Sequence, residues 1–167
     1  MKSYSLATSV CLVACMLISA CTPKPEKSAT ATVTQTTLDS TLSAMKAFHN
    51  TMAEEQARME SEYEALTKRK GFARLNADLR KTLVHQMEEA ILDGGKRVDR
   101  HENLMNDYTT FMKQAHTGVG GDSAIVRSHT SFSLSQDKFE KNVATYRRKY
   151  EKLHKEFTGS IDKVDSK

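Results

Sequence analysis

The stretch that decides the fold, residues 38–66, reads LDSTLSAMKAFHNTMAEEQARMESEYEAL. Its larger side chains recur at alternating steps of four and three residues, which is the spacing of a heptad seam on one face of an α-helix. The positions of this seam are Leu38, Leu42, Met45, His49, Met52, Gln56, Met59, Tyr63 and Leu66. Thr36 or Thr37 can cap the start of this helix, and Gly71 can end it. The pattern predicts a long helix that packs through a single face.

Two further seams lie downstream. The middle seam covers residues 72–115 and passes through Gly94-Gly95 without losing phase, which predicts one continuous or kinked helix. A break at these glycines is the alternative, and it would give four helices in all. The last seam covers residues 132–157, where Ser133 and Gln136 have the spacing of a capping box.

The segments between the seams complete the fold prediction. No proline follows Pro25, so long helices are allowed in the rest of the chain. Residues 117–130 contain three glycines and lack a clear period, and they are predicted to form the one real loop. Strand signals are nearly absent. We therefore expect an all-α domain over residues 37–167, as an elongated three-helix bundle or antiparallel coiled coil.

The N-terminus has a different composition. A short start that carries one charge, Lys2, is followed by residues 6–18, which are apolar apart from Thr8 and Ser9. This run is too short to span a bilayer, which takes about 20 residues. A charged start, a short apolar run and small residues at its end are typical of a secretory signal peptide.

The apolar run ends in Ile18-Ser19-Ala20-Cys21. This order of a branched apolar residue, two small residues and a cysteine resembles the lipobox of bacterial lipoproteins. The resemblance implies that the Cys21 thiol receives a diacylglycerol, that the chain is cut between Ala20 and Cys21, and that the new amine can be acylated. Residues 1–20 would then be a signal peptide, and no cofactor beyond this covalent lipid is expected.

Cys15 is a second possible site of lipidation and cleavage, because Leu12-Val13-Ala14-Cys15 fits the same pattern. Cleavage there would leave the apolar residues 16–18 at the start of the mature chain. Cleavage before Cys21 leaves a polar segment, residues 21–36, which holds both prolines and suits a flexible tether of about 20 Å end to end. The composition therefore favours Cys21. The mature chain would keep this single, lipid-capped cysteine and form no internal disulfide.

Motifs for catalysis are weak or incomplete. Gly121-Asp122-Ser123 resembles the start of a hydrolase motif, but it lies between predicted helices and is followed by Ala124. Glu151 and His154 have the Glu-x-x-His spacing of di-iron bundles, which require two such motifs and two more glutamates. His85 and Glu89 share a helix face without a second metal motif. No enzymatic activity and no metal site are expected.

The charged and polar residues indicate packing and binding contacts rather than a catalytic reaction. The formal net charge of +4 is too slight to indicate a polyanion, and no nucleic-acid partner is expected. Polar residues in the seams, His49, Gln56 and His101, can fix the register of the helices. A chain that folds back at Gly71 would bring Glu60 near Arg80.

The charged outer faces form the expected interaction surface, unless their residues pair with each other. These residues are Glu54, Glu55, Arg147, Arg148 and Lys149. We expect a lipid-anchored, non-catalytic interaction or scaffold protein of a bacterial envelope, whose partner is another envelope protein or a second copy of itself. One alternative is a carrier that binds an apolar ligand between its helices. Another is an exclusion-type lipoprotein that blocks phage or conjugative entry. In a Gram-negative source, Thr22 after the lipidated cysteine would imply the outer membrane, on its periplasmic side.

Overall fold

The computed structural model describes residues 33–117 and 121–167. They form helices α1 (Gln35–Thr67), α2 (Lys70–Arg74), α3 (Ala77–His116) and α4 (Gly121–Asp165). No strand occurs within the two described ranges. The all-α prediction is confirmed, with three long helices and one short helix between α1 and α3. At a rise of 1.5 Å per residue, the long helices extend about 50, 60 and 68 Å.

Helices α1 and α3 are antiparallel. The Tyr108 hydroxyl donates a hydrogen bond to the carbonyl oxygen of Leu38 at 3.3 Å near the start of α1. Near the end of α1, the Tyr63 hydroxyl donates to Oε1 of Glu88 at 3.0 Å. Residue numbers thus rise along one helix as they fall along the other, which the short connection through α2 favours.

Helix α4 runs parallel to α1 and therefore antiparallel to α3. Thr41 Oγ1 lies 3.2 Å from Nε2 of His129 near the start of both helices. Towards their ends, His154 Nε2 lies 3.8 Å from Oε2 of Glu62. The result is an up-down-up bundle of three long helices, with two clusters of buried apolar residues along its core.

The predicted seams form that core. In α1 the seam positions are alternately buried and half-buried, as expected for a helix that packs against two others. The buried apolar residues of the bundle are Leu38, Met45, Met52, Met59, Leu66, Leu75, Leu83, Met87, Tyr108, Met112, Val143, Tyr146, Tyr150, Phe157 and Ile161. Leu79 lies on the middle seam and was expected to be buried, but its side chain is 43% exposed close to the start of α3. Among the described residues, no helix combines the length and apolarity needed to cross a bilayer.

The middle helix is continuous across its glycines. Gly94 and Gly95 both lie inside α3, so the prediction of one long helix over this part is confirmed. The helix begins later than predicted, at Ala77, because the Asn76 side chain accepts hydrogen bonds from the backbone N–H groups of Asp78 and Leu79. An asparagine at this position satisfies backbone donors that the helix itself leaves without partners.

The ends of α1 also differ from the prediction. Thr34, rather than Thr36 or Thr37, caps the helix by accepting a hydrogen bond from the N–H of Thr37 at 3.2 Å. The helix ends at Thr67, and Gly71 does not end it but lies buried inside α2.

The predicted loop over residues 117–130 is wrong for most of its length. Helix α4 begins at Gly121, whose φ of 66° is one that glycine adopts readily. Ser133 and Gln136 therefore lie inside α4 and do not start a helix. Tertiary contacts such as that of His129 with α1 stabilise this first part of α4, although its own apolar period is weak.

Candidate interaction surface

Two residues of the predicted interaction surface pair with each other. Nε of Arg147 donates to Oε2 of Glu55 at 2.6 Å and so links α4 to α1. Their side chains are only 31% and 25% exposed, and the guanidinium also lies 5.9 Å from the ring centre of Phe48. This ion pair belongs to the bundle itself, which removes Glu55 and Arg147 from the surface available to a partner.

The other three predicted residues are exposed, and they lie on two different helices. Glu54 lies on α1, whereas Arg148 and Lys149 lie on α4. Nε of Arg148 donates only within its own helix, to the carbonyl oxygen of Ala144 at 3.3 Å. Lys149 lies at the edge of a groove between α3 and α4. The sequence-predicted surface is thus divided between two helices.

The groove between α3 and α4 is the most substantial concave feature near these residues. Its volume is about 530 Å³, within the range of small-molecule sites, but it is open along one side. Its lining combines aromatic and aliphatic groups with charges of both signs: Gln86, Glu89, Ala90, Asp93, Tyr146, Lys149, Tyr150, Lys152, Leu153 and Glu156. Sequence periodicity did not indicate this groove, because the groove depends on how the outer edges of two helices are placed relative to each other.

The space between the three helices is much smaller. A void lined by Met52, Gln56, Gly94 and Val143, among others, measures about 10 Å³. This volume is close to what a single water molecule needs. At this level of the bundle, the seam residues therefore fill the space between the helices.

A polar layer interrupts the apolar core. His101 is fully buried, and its Nε2 lies 2.9 Å from Oε1 of Gln136 on α4. The rings of His49 on α1 and His101 are stacked with their centres 5.7 Å apart. Burial lowers the pKa of His101 below its ordinary value of 6.5, and the charge of His49 acts in the same direction. His49 and His101 were predicted from the seams as polar positions, but the partnership with Gln136 was not.

The cross-helix pair predicted from charge does not form. Glu60 accepts a hydrogen bond from the Gln56 amide at 2.7 Å, one turn earlier in α1. The Arg80 guanidinium donates to the carbonyl oxygen of Ala73 at 3.3 Å and lies over the ring of Phe72. The insertion of α2 between α1 and α3 changes the register that a direct turn at Gly71 would have produced.

The histidines of the two candidate metal motifs each lie near one glutamate. His154 lies near Glu62 of α1, and His85 pairs with Glu89 at 3.5 Å on an exposed helix surface. Within the described ranges, no group of three or more histidine, cysteine, aspartate or glutamate residues could hold a metal ion. Ala20 and Cys21, the predicted cleavage and lipidation residues, lie outside the described residues.

Comparison with known protein families, with curated proteins and with solved structures finds no match to this chain.

Proposed function

We propose that this protein is a lipid-anchored, non-catalytic interaction protein of a bacterial envelope that acts through the outer faces of its helices. The lipobox-like sequence that ends at Cys21 supports the anchor. In a Gram-negative source, Thr22 supports a place on the periplasmic side of the outer membrane. The partner is another envelope protein or a second copy of this chain.

The observation that supports surface contacts is the contrast between the inside and the outside of the bundle. The void lined by Met52, Gly94 and Val143 is about 10 Å³, too small for an apolar ligand, because the seams fill the bundle at this level. Glu54 and Arg148, by contrast, are exposed on the outer sides of α1 and α4. A partner can therefore reach these faces without opening the core.

In-cell photocrosslinking tests this proposal. A photoreactive amino acid at Glu54 or Arg148 of the full chain should give adducts with a component of the envelope. At Glu54, the component should be a protein. Val143 is the matched control, because its side chain is 2% exposed inside the core. Adducts at Val143 alone, with a lipid or another small molecule, would exclude the surface-contact function and favour the carrier.

A ligand-binding role is the second candidate, and the groove between α3 and α4 favours it. Tyr150 and Leu153 contribute apolar surface to this groove of about 530 Å³. A small molecule that co-purifies with the wild-type chain and is lost in Leu153→Lys would support this role. The Leu92→Lys change on another part of α3 is the control, because Leu92 does not line this groove.

A further inference from the structure

The outer face of α4 carries more basic than acidic side chains. Eight exposed lysine and arginine side chains recur along it at helical spacing, on the side opposite to the buried Val143, Tyr150 and Phe157. We call this the basic face, and its residues are Arg127, Lys138, Lys141, Arg148, Lys149, Lys152, Lys155 and Lys163. It extends over most of the helix, about 54 Å at 1.5 Å per residue.

Four acidic groups offset half of this charge. Asp137, Glu151, Glu156 and Asp162 lie on the same side of α4, which leaves an excess of four positive charges. Asp162 is already paired, because it accepts a hydrogen bond from Arg69 at 2.6 Å. The nearest contact of Lys152 with Glu156 is 4.0 Å, at the limit of an ion pair.

Helix α1 has the opposite tendency. Helix α1 carries two basic and six acidic residues, so its charge is negative. The small net charge of the whole chain therefore conceals a separation of charge between faces. The total charge of the chain indicates no polyanion, because it does not depend on how the charges are distributed between the faces.

An exposed apolar side chain lies within the basic face. Leu134 is 64% exposed and follows the same helical line as Lys141 and Lys152. A cluster of basic side chains beside a membrane is attracted to anionic headgroups, and an exposed apolar side chain among them can enter the interface.

We propose that the basic face of α4 docks on the anionic headgroups of a phospholipid bilayer. An excess of basic side chains spread along a long helix complements an extended anionic surface better than a compact protein site. The start of α4 lies at the same end of the bundle as the start of α1, as the contact between Thr41 and His129 demonstrates. A tether that enters α1 would hold this end close to the membrane. The inference rests on the proposed anchor, and it leaves the face around Glu54 available to a protein partner.

Site-specific fluorescence on the anchored protein tests this docking. The full-length lipidated protein is placed in vesicles, with a fluorophore on Thr145→Cys in the basic face or on Asn50→Cys on the outside of α1, both exposed. The introduced thiol would be the only reactive one, because Cys21 would carry the lipid. Spin-labelled headgroups should quench the label at position 145 when the vesicles contain phosphatidylglycerol. They should not do so in pure phosphatidylcholine, and position 50 should stay unquenched in both.

Charge reversal adds a quantitative test. The combination Lys141→Glu, Arg148→Glu and Lys152→Glu should lower the ratio of docked to undocked protein at least about 100-fold, since each basic side chain at an anionic surface contributes roughly five-fold. The matched control reverses three exposed lysines on the outside of α3, Lys81, Lys96 and Lys113, and should keep the quenching. High salt should release the basic face of the wild-type protein from the vesicles, because salt shortens the distance over which charges attract each other.

Three results would overturn the inference. One is equal quenching at positions 145 and 50, and another is quenching that does not depend on phosphatidylglycerol. The third is a photocrosslinker at Arg148 that traps an acidic protein and no lipid, which would leave the proposed anchor and surface function intact. A chain that is not retained on vesicles of either composition would instead exclude the anchor, and the docking with it.

Discussion

The hydroxyl group of Tyr146 occupies the space that a side chain at Gly94 would fill. From there it donates a hydrogen bond to the carbonyl oxygen of Ala90 at 2.8 Å. On the other side of the glycine, the Gln56 amide donates to the carbonyl oxygen of Ile91 at 3.0 Å. Burial raises the pKa of Tyr146 to about 12, so the hydroxyl remains a donor at neutral pH. Gly94 thus permits side chains of α1 and α4 to reach the backbone of α3.

This arrangement predicts opposite effects of alanine at the two neighbouring glycines. Gly94→Ala should lower the free energy of unfolding by about 1–3 kcal/mol, because the new methyl group would overlap both Gln56 and Tyr146. Gly95→Ala should raise it by about 0.5–1 kcal/mol, since glycine weakens a helix interior. A methyl group at Gly95 would meet only the Gln56 amide, at an ordinary 3.8 Å. Equilibrium urea denaturation of both variants measures these changes, and a stabilising Gly94→Ala would contradict the close approach.

The ion pair between Glu55 and Arg147 should contribute to bundle stability. A double-mutant cycle with Glu55→Gln and Arg147→Met should give a coupling free energy of about 0.5–1 kcal/mol, because the pair is partly shielded from solvent and links two helices. The exposed pair of Lys152 and Glu156, at 4.0 Å, is the control and should couple by less than about 0.5 kcal/mol. Equal coupling in both cycles would refute a special role for the inter-helix pair.

Acid should weaken the bundle through His101. Its pKa is lowered in the folded chain, so the unfolded chain takes up the proton first as the pH falls. The corresponding stability is complete above the unfolded pKa of about 6.5, and it is lost as the pH falls towards the folded pKa. We therefore expect the free energy of unfolding to decrease as the pH falls below about 7.

Two variants isolate the contribution of His101. Replacing His101 and Gln136 together by leucine should reduce the pH dependence without leaving one buried polar partner alone. His85→Gln is the control, because the side chain of His85 is 70% exposed, and it should leave the pH dependence unchanged. Chemical denaturation at several pH values gives the comparison. An unchanged slope in the double variant would assign the effect to other groups.

Processing should depend on Cys21 and not on Cys15. Cys21→Ser should abolish metabolic labelling with a radioactive fatty acid and block normal cleavage, because serine lacks the thiol that accepts the lipid. Cys15→Ser is the matched control and should be labelled and cleaved like the wild-type chain. Labelling that survives Cys21→Ser and disappears in Cys15→Ser would move the cleavage site six residues towards the N-terminus.

The sequence by itself determined the fold class and the faces that are buried. Heptad spacing in residues 38–66 identified the core side of α1, and the unbroken phase through Gly94 identified a continuous α3. These features are local, because the side-chain period of a helix is fixed by its backbone geometry. The lipobox resemblance at Cys21 is also local, and it remains a prediction because Cys21 lies outside the described residues.

The tertiary structure decided the features that depend on contacts distant in sequence. It placed the start of α4 at Gly121 instead of near Phe132, since packing against α1 and α3 stabilises a segment with a weak apolar period. It also paired Glu55 with Arg147, 92 residues away, and so divided the predicted interaction surface. The excess of basic side chains on the outside of α4 emerged only once the inward side of that helix was known. A helix has a fixed period, but only its neighbours decide which part of its circumference meets solvent.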